Sequence, residues 1–233
     1  MGEITIDGRN LKDFGINVDG GQSFDSPEWE YEKVTIPGRN GDLLLPVKRM
    51  KNVQVSYKAG ITKDFVRNAK AARSFLMLGG YRRIEDSYAP DTFRMGIFTG
   101  PMEFDTIFLN RAGETTLVFD CKPQRWLKSG ESGVFVNSGD MITNDWHPAK
   151  PEINISGNGA ATIQVGNSYI NIADIKGSIT LDCDTLNAYS GSENRNHDIQ
   201  VSGGWPVLAH GGTQISWTGN IRSVVMTPHW WMP

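Results

Sequence analysis

The side chains able to do acid–base or metal chemistry are few and scattered. The four histidines, His147, His197, His210 and His229, stand at no spacing that sets two of them, or one and a cysteine, around a common metal. His147 and His229 each adjoin a proline, which places them in turns. The carboxylates Glu28, Glu30 and Glu32 are closely spaced, but a glycosidase needs two carboxyl groups facing each other across a bond. On an extended segment these alternate residues share one face, where like charges repel. Asp182 and Asp184 flank Cys183 and offer oxygens to calcium, yet no oxygen-rich loop of the kind a dedicated site uses surrounds them. Gly157-Asn158-Gly159 is turn chemistry, since no helical pattern follows to supply the amides of a phosphate cradle. The sequence therefore predicts no catalytic residue, no metal site and no cofactor, and points away from an enzyme.

Tryptophan offers a different chemistry. Trp205, Trp217, Trp230 and Trp231 fall in the C-terminal half, and an exposed indole beside polar groups is a platform for a sugar ring. Trp205, Trp230 and Trp231 are the candidate carbohydrate or partner contacts. The competing reading packs Trp217 in a core and Trp205 at a turn edge before Pro206. Only exposure decides between the two.

The elements that must carry these groups are mostly strands. Residues 51–58 alternate cleanly, with Val53, Val55 and Tyr57 on one face and Asn52, Gln54, Ser56 and Lys58 on the other. Half-buried strands are predicted over 93–99, 114–121, 152–156, 162–165, 169–172, 178–182 and 214–217. One helix interrupts them, over about 62–78, with Phe65, Ala69, Ala72 and Leu76 at helical spacing, Thr62 as cap and Gly79-Gly80 as stop. Its outer face carries Lys63, Arg67 and Lys70, either a solvated face or a surface for an acidic partner. Near the N-terminus, Glu28-Trp29-Glu30-Tyr31-Glu32-Lys33 sets aromatics on one side of a strand and carboxylates on the other, which predicts one face against a core and one turned elsewhere. A turn follows at Pro37-Gly38-Arg39-Asn40-Gly41, then a second apolar strand.

Composition agrees. A chain of 233 residues accommodates one large β domain or two smaller ones, and 26 glycines with 11 prolines suit many strands and turns. A formal charge of −3 argues against duplex binding, which rests on clustered Lys and Arg. No apolar run reaches the roughly twenty residues that span a bilayer, and the first residues do not read as a signal peptide. Cys121 and Cys183 each continue the apolar phase of a strand, so buried free thiols and synthesis in a reducing cytoplasm are expected. Turn-forming polar residues between Trp126 and Pro151 mark a crossing, about 127–150, between an N-terminal half over 1–128 and a C-terminal half over 129–233. Short strands at turn spacing in the second half predict an antiparallel sandwich.

Taken in order along the chain, several of these pieces form a pattern. Ile4-Thr5-Ile6-Asp7-Gly8, Phe14-Gly15-Ile16 and the segment from Val34 through Pro37-Gly38-Arg39-Asn40-Gly41 to Leu43 resemble the opening of the distal tail protein family of long-tailed bacteriophages. The likeness continues at Arg82-Arg83-Ile84-Glu85-Asp86, at Gly113 to Pro123, and more loosely through Pro151-Glu152-Ile153 to Trp231. This resemblance implies a mainly β protein of two sandwich domains: an N-terminal one flanked by the helix and built like a tail-tube subunit, and a galectin-like C-terminal one. It also implies a structural hub that forms a homohexameric ring between the tail-tube protein and the baseplate or fibre proteins, around a DNA channel. Tape-measure and receptor-binding proteins are further implied neighbours, and the virion tail tip is the implied location. Within that expectation, Glu28, Glu30 and Glu32 of one copy and Lys63, Arg67 and Lys70 of the next are candidate complementary surfaces, with Pro37, Gly38, Arg39 and Gly41 as the contacting hairpin tip. A carbohydrate-binding tail module is the alternative reading.

Overall fold

In the computed structural model the chain is described over residues 2–19, 25–107 and 111–233. It folds as two compact units, one reaching to Arg125 and the other spanning Trp126–Met232.

The first unit contains β1 (Ile4–Ile6), β2 (Arg9–Asn10), β3 (Ile16–Val18), β4 (Trp29–Val34), β5 (Leu43–Met50), β6 (Val53–Ile61), α1 (Phe65–Leu76), β7 (Arg82–Asp86), β8 (Thr92–Phe98), β9 (Asp105–Ile107) and β10 (Ala112–Leu127), the last running on into the second unit. One sheet takes the order β2-β1-β7-β8-β10-β6-β3, with β9 paired to β10. The Gly2 amide donates to the Val18 carbonyl at 3.2 Å, so the β1 and β3 ends of the sheet meet and the sheet curls on itself. Strand alternation fills the enclosed space: Val53, Val55 and Tyr57 of β6 and Leu117, Phe119 and Cys121 of β10 are all buried. The Tyr57 hydroxyl donates to Asp86 Oδ2 at 2.9 Å. The same interior holds Arg94, only 4% exposed, whose Nε and Nη1 have no hydrogen-bond partner among the described residues.

Helix α1 is shorter than its sequence pattern predicts. Asp64, not Thr62, takes the N-cap place with φ 47° and makes no side-chain cap bond. The helix ends at Leu76, where the Met77 amide donates to the Arg73 carbonyl at 3.0 Å, before Gly79 is reached. Ala69, Ala72 and Leu76 are buried as the spacing requires, joined by Phe75, which stacks on Phe14 at 4.7 Å.

The second unit contains β11 (Val134–Val136), β12 (Met141–Asn144), β13 (Glu152–Val165), β14 (Ser168–Asp182), β15 (Asn187–Ser190), β16 (Glu193–Asn194), β17 (Ile199–Ser202), β18 (Gly211–Thr227) and β19 (Trp231–Met232). The polar segment that reads as a crossing carries β11 and β12, both paired to β18. The predicted strand pairs 152–156 with 162–165, and 169–172 with 178–182, are each one continuous strand with an irregular middle. One layer joins β11, the end of β18, the start of β13, the end of β14, then β15 and β16. The other joins β12, the start of β18, the end of β13, the start of β14, and β17. Three strands thus serve both layers, and glycine permits the change of direction between them. A Cβ on Gly157 would sit 2.4 Å from the Asn220 carbonyl oxygen. One on Gly219, where φ is 92°, would sit 2.5 Å from that of Ala160. Between the layers lie Ile153, Ile155, Ile163, Ile170, Ile179 and Leu181, all buried.

Both cysteines are free and buried. Burial disfavours the thiolate, pushing Cys121 up to about 11 and Cys183 up to about 12, so neither is poised as a nucleophile.

Candidate functional site

The residues singled out near Pro37 form a hairpin of their own. Strands β4 and β5 pair only with each other among the described residues, from Val34 opposite Leu43 down to Trp29 opposite Met50. At the tip, Ile36-Pro37-Gly38-Arg39 closes a turn in which the Arg39 amide donates to the Ile36 carbonyl at 3.1 Å. Proline presets the second position and Gly38, at φ 80°, supplies the left-handed third. Gly41 repeats that conformation at φ 82°, and the Thr35 hydroxyl ties across to Asp42 Oδ1 at 2.9 Å. At the base, the Lys51 amide donates to the Glu28 carbonyl at 2.9 Å.

Charge on this hairpin is largely arranged within it. Lys51 Nζ lies 3.4 Å from Glu28 and Arg49 Nε 3.4 Å from Glu30, so two of the three carboxylates have a cation across the hairpin, Arg49 on β5 and Lys51 just past its end. These pairs stand in solvent and contribute up to about 1 kcal/mol each. Glu32 is opposite Leu45 and exposed.

One sequence expectation is corrected here. The aromatics of β4 do not face a core: Trp29 and Tyr31 are each 47% exposed, and Leu44 of the partner strand is 50% exposed. Among the described residues no second layer receives either face of this two-stranded hairpin. The result is an apolar, two-edged element whose exposed surface is of the kind that marks an interaction site.

The cationic candidates lie elsewhere in the same unit. Lys63 precedes α1, and Arg67 and Lys70 are exposed on it. Arg67 also lines an open groove of about 510 Å³ with Thr62, Asp64, Phe65, Val66 and Arg111. Among the described residues no ion pair joins Glu28, Glu30 or Glu32 to Lys63, Arg67 or Lys70; Glu28 and Glu30 pair with Lys51 and Arg49.

In the second unit, Trp205, Trp217 and Trp230 are half-buried against the isoleucine core. Trp231 donates through Nε1 to the Pro148 carbonyl at 3.0 Å and lies against the His147 ring, tilted by 34° with centroids 4.8 Å apart. Asp182 is spent on its own turn, accepting the amides of Asp184 at 2.9 Å and Thr185 at 3.0 Å. No group of three His, Cys, Asp or Glu side chains among the described residues is arranged to hold a metal.

Comparison with known proteins adds a fold-level likeness. No family model matches the sequence, and no curated protein shows significant sequence similarity to it. Among solved structures, the chain superposes on the Dit protein of phage SPP1, described as a paradigm of the hub adsorption apparatus in phages infecting Gram-positive bacteria. The TM-score is 0.80 at 14% identity, over 98% of each chain. It also superposes on a chain of the phage P2 baseplate in its activated conformation with Ca, with a TM-score of 0.59 at 8% identity, covering 100% of this chain and 98% of that one. A corresponding chain of the p2 baseplate with Sr gives 0.54 at 8% identity over 97% and 98%. The mainly β fold with one helix is thus that of phage hub and baseplate proteins.

Proposed function

We propose that this chain is a distal tail protein of a long-tailed phage: a structural hub that closes with copies of itself into a hexameric ring between the tail tube and the baseplate or fibre proteins. The observation that carries this reading is the superposition on SPP1 Dit along 98% of both chains. The N-terminal unit is the tail-tube-like ring former and the C-terminal unit the galectin-like domain. Its partners are further copies, the tail-tube protein and a baseplate or fibre protein, with tape-measure and receptor-binding proteins as neighbours. It is made in the host cytoplasm, incorporated in the virion tail, and catalyses nothing.

Physical features of the hairpin support the same reading. A ring needs two different surfaces on each copy that complement one another and close. The β4–β5 hairpin has apolar faces and unpaired strand edges, a combination suited to extending or covering a neighbour's sheet. Arg39 at its tip and the carboxylates along β4 are placed to choose the partner surface, with Lys63, Arg67 and Lys70 as the cationic counterpart. A net charge of −3 also suits a conduit that must not hold passing DNA by its phosphates.

The test is assembly. The purified chain, alone or with tail-tube and baseplate proteins, should give six-fold rings with an open centre by negative stain and a matching mass by light scattering. A strict monomer that binds neither protein would remove the proposal. The double variant Trp29→Ser, Leu44→Ser should lose the ring while melting as the unmodified chain does.

A further inference from the structure

The two layers of the C-terminal unit differ in what they show to solvent. In the layer built from β12 and the paired halves of β18, β13, β14 with β17, the side chains of Ile163, Val165, Ile170 and Ile215 point inward. Their alternates therefore point outward: Gln164 stands opposite Tyr169, Thr162 opposite Asn171, and Asn171 opposite Gln200, with Gln214 on β18. No Asp, Glu, Lys or Arg occupies an outward position of these paired segments. Charged residues make up 21% of the chain, so a five-stranded surface without one is a selective composition. The other layer is ordinary in this respect, with Glu152 directly opposite Asp182.

Four of the polar groups on the uncharged face, Thr162, Asn171, Gln164 and Ser216, are also held in place. Thr162 Oγ1 donates to Asn171 Oδ1 at 2.8 Å, which leaves the Asn171 amide hydrogens to donate outward. Gln164 is fixed at both ends, donating to the Gly166 carbonyl at 2.9 Å and accepting from Ser216 Oγ at 3.4 Å. Beside it the Tyr169 ring is 43% exposed. Gln200 and Gln214 are exposed and make no side-chain hydrogen bond with the described residues.

We propose that this face binds a neutral saccharide. Sugar hydroxyls both donate and accept, and fixed amides and hydroxyls answer both roles without charge. The flat Tyr169 ring supplies apolar area for the C–H side of a sugar. Side chains already held by their neighbours lose less freedom on binding. At about 4.8 Å per strand, five strands present roughly 19 Å of such surface, enough for a short oligosaccharide. A phosphate-bearing polymer or an acidic glycan would find no Lys or Arg here to meet it. Of large apolar side chains this face exposes Met141, opposite Gln214, and Tyr169, which together fall short of the apolar centre on which stable protein interfaces depend. The site does not involve Trp205, Trp230 or Trp231, and it does not depend on the hub reading.

The test uses the full chain and saturation-transfer NMR against neutral oligosaccharides of glucose, galactose, rhamnose and N-acetylhexosamines, with dextran sulfate as the anionic arm. At least one neutral oligosaccharide should bind saturably. Tyr169→Ala should weaken that binding at least tenfold, and Asn171→Asp and Gln164→Glu several-fold. Trp231→Ala should leave it unchanged, and the surface variants should melt as the unmodified chain does. The proposal is overturned if the folded protein binds none of the neutral oligosaccharides, or binds only dextran sulfate. It is equally overturned if binding survives Tyr169→Ala and is lost in Trp231→Ala. Ring formation, read separately, reports on the hub whatever the sugar result.

Discussion

In β13 and β14 the inward side chains from Ile153 to Val165, and from Ile170 to Leu181, meet a second layer, whereas in β4 and β5 Trp29 is 47% and Leu44 50% exposed, with no second layer over them among the described residues. Both are antiparallel hairpins with strong apolar content. The first bends at its middle, so its two halves lie in facing layers and bury each other's isoleucines. The second stays a two-stranded ribbon with both faces and both edges free among the described residues. Apolar strand residues thus stabilise the chain in one hairpin and stay exposed in the other. Alternation alone does not tell which; the presence of a second layer does.

The comparison predicts the largest contrast for side-chain truncation. Ile163→Ala removes fully buried volume between the layers and should cost about 2–5 kcal/mol, read as a fall in the denaturation midpoint of the C-terminal unit. Leu44→Ala, on the hairpin, should change stability by less than about 0.5 kcal/mol. Equal losses at the two positions would mean that the ribbon is packed in solution and the contrast is false.

Glycine sharpens the same difference at a smaller scale. Gly219 holds φ 92° with the Ala160 carbonyl oxygen 2.5 Å from where a Cβ would stand, so Gly219→Ala meets both backbone strain and a fixed neighbour. A loss of roughly 1–3 kcal/mol is expected from the strain, with the clash adding to it. Gly38 holds φ 80°, but nothing lies within 4 Å of its Cβ position. Gly38→Ala should therefore loosen only the tip, by about 1 kcal/mol, leaving the global melt in place. Urea denaturation followed by far-UV circular dichroism compares the two.

Much of the architecture is legible in the sequence because period-two alternation and burial coincide in β6, β10, β13 and β14. The bends are not. Gly157-Asn158-Gly159 reads as a turn between two strands, and only the close approach of Asn220 reveals a single strand passing from one layer to the other. The hairpin was legible as an element but not in its exposure, because aromatics beside carboxylates look like a half-buried strand whether or not a core lies beneath. Leu43-Leu44-Leu45 did hold a signal: three successive apolar residues on a strand cannot all face one core. The uncharged face of Thr162, Gln164 and Asn171 needed the register, since its members come from separate segments.

Arg94 tests whether the N-terminal core follows the rule set by the isoleucines. Burial, and then the charge of Arg125 nearby, hold its pKa below the ordinary value, and its Nε and Nη1 lack partners among the described residues. Arg94→Met, similar in length without the charge, should leave stability unchanged or raise it by up to a few kcal/mol. A substantial loss on thermal melting would show instead that an acceptor held by Arg94 matters to the fold.

The smallest effect is expected where the hairpin's charge is changed one residue at a time. Glu30 pairs with Arg49 in solvent at 3.4 Å, so Glu30→Lys removes an interaction worth up to about 1 kcal/mol and should barely alter stability or assembly. Reversing Glu28, Glu30 and Glu32 together is different in kind. Lys51 and Arg49 then face like charges, and the ribbon presents a cationic edge to any neighbour bearing Lys63, Arg67 and Lys70. If those residues meet across copies, the triple variant should weaken the ring at low salt, and added salt should narrow the difference as screening grows. Unchanged assembly at low salt would separate the two groups and leave the exposed apolar faces, Trp29 and Tyr31 with Leu44, as the part of the hairpin that selects its partner.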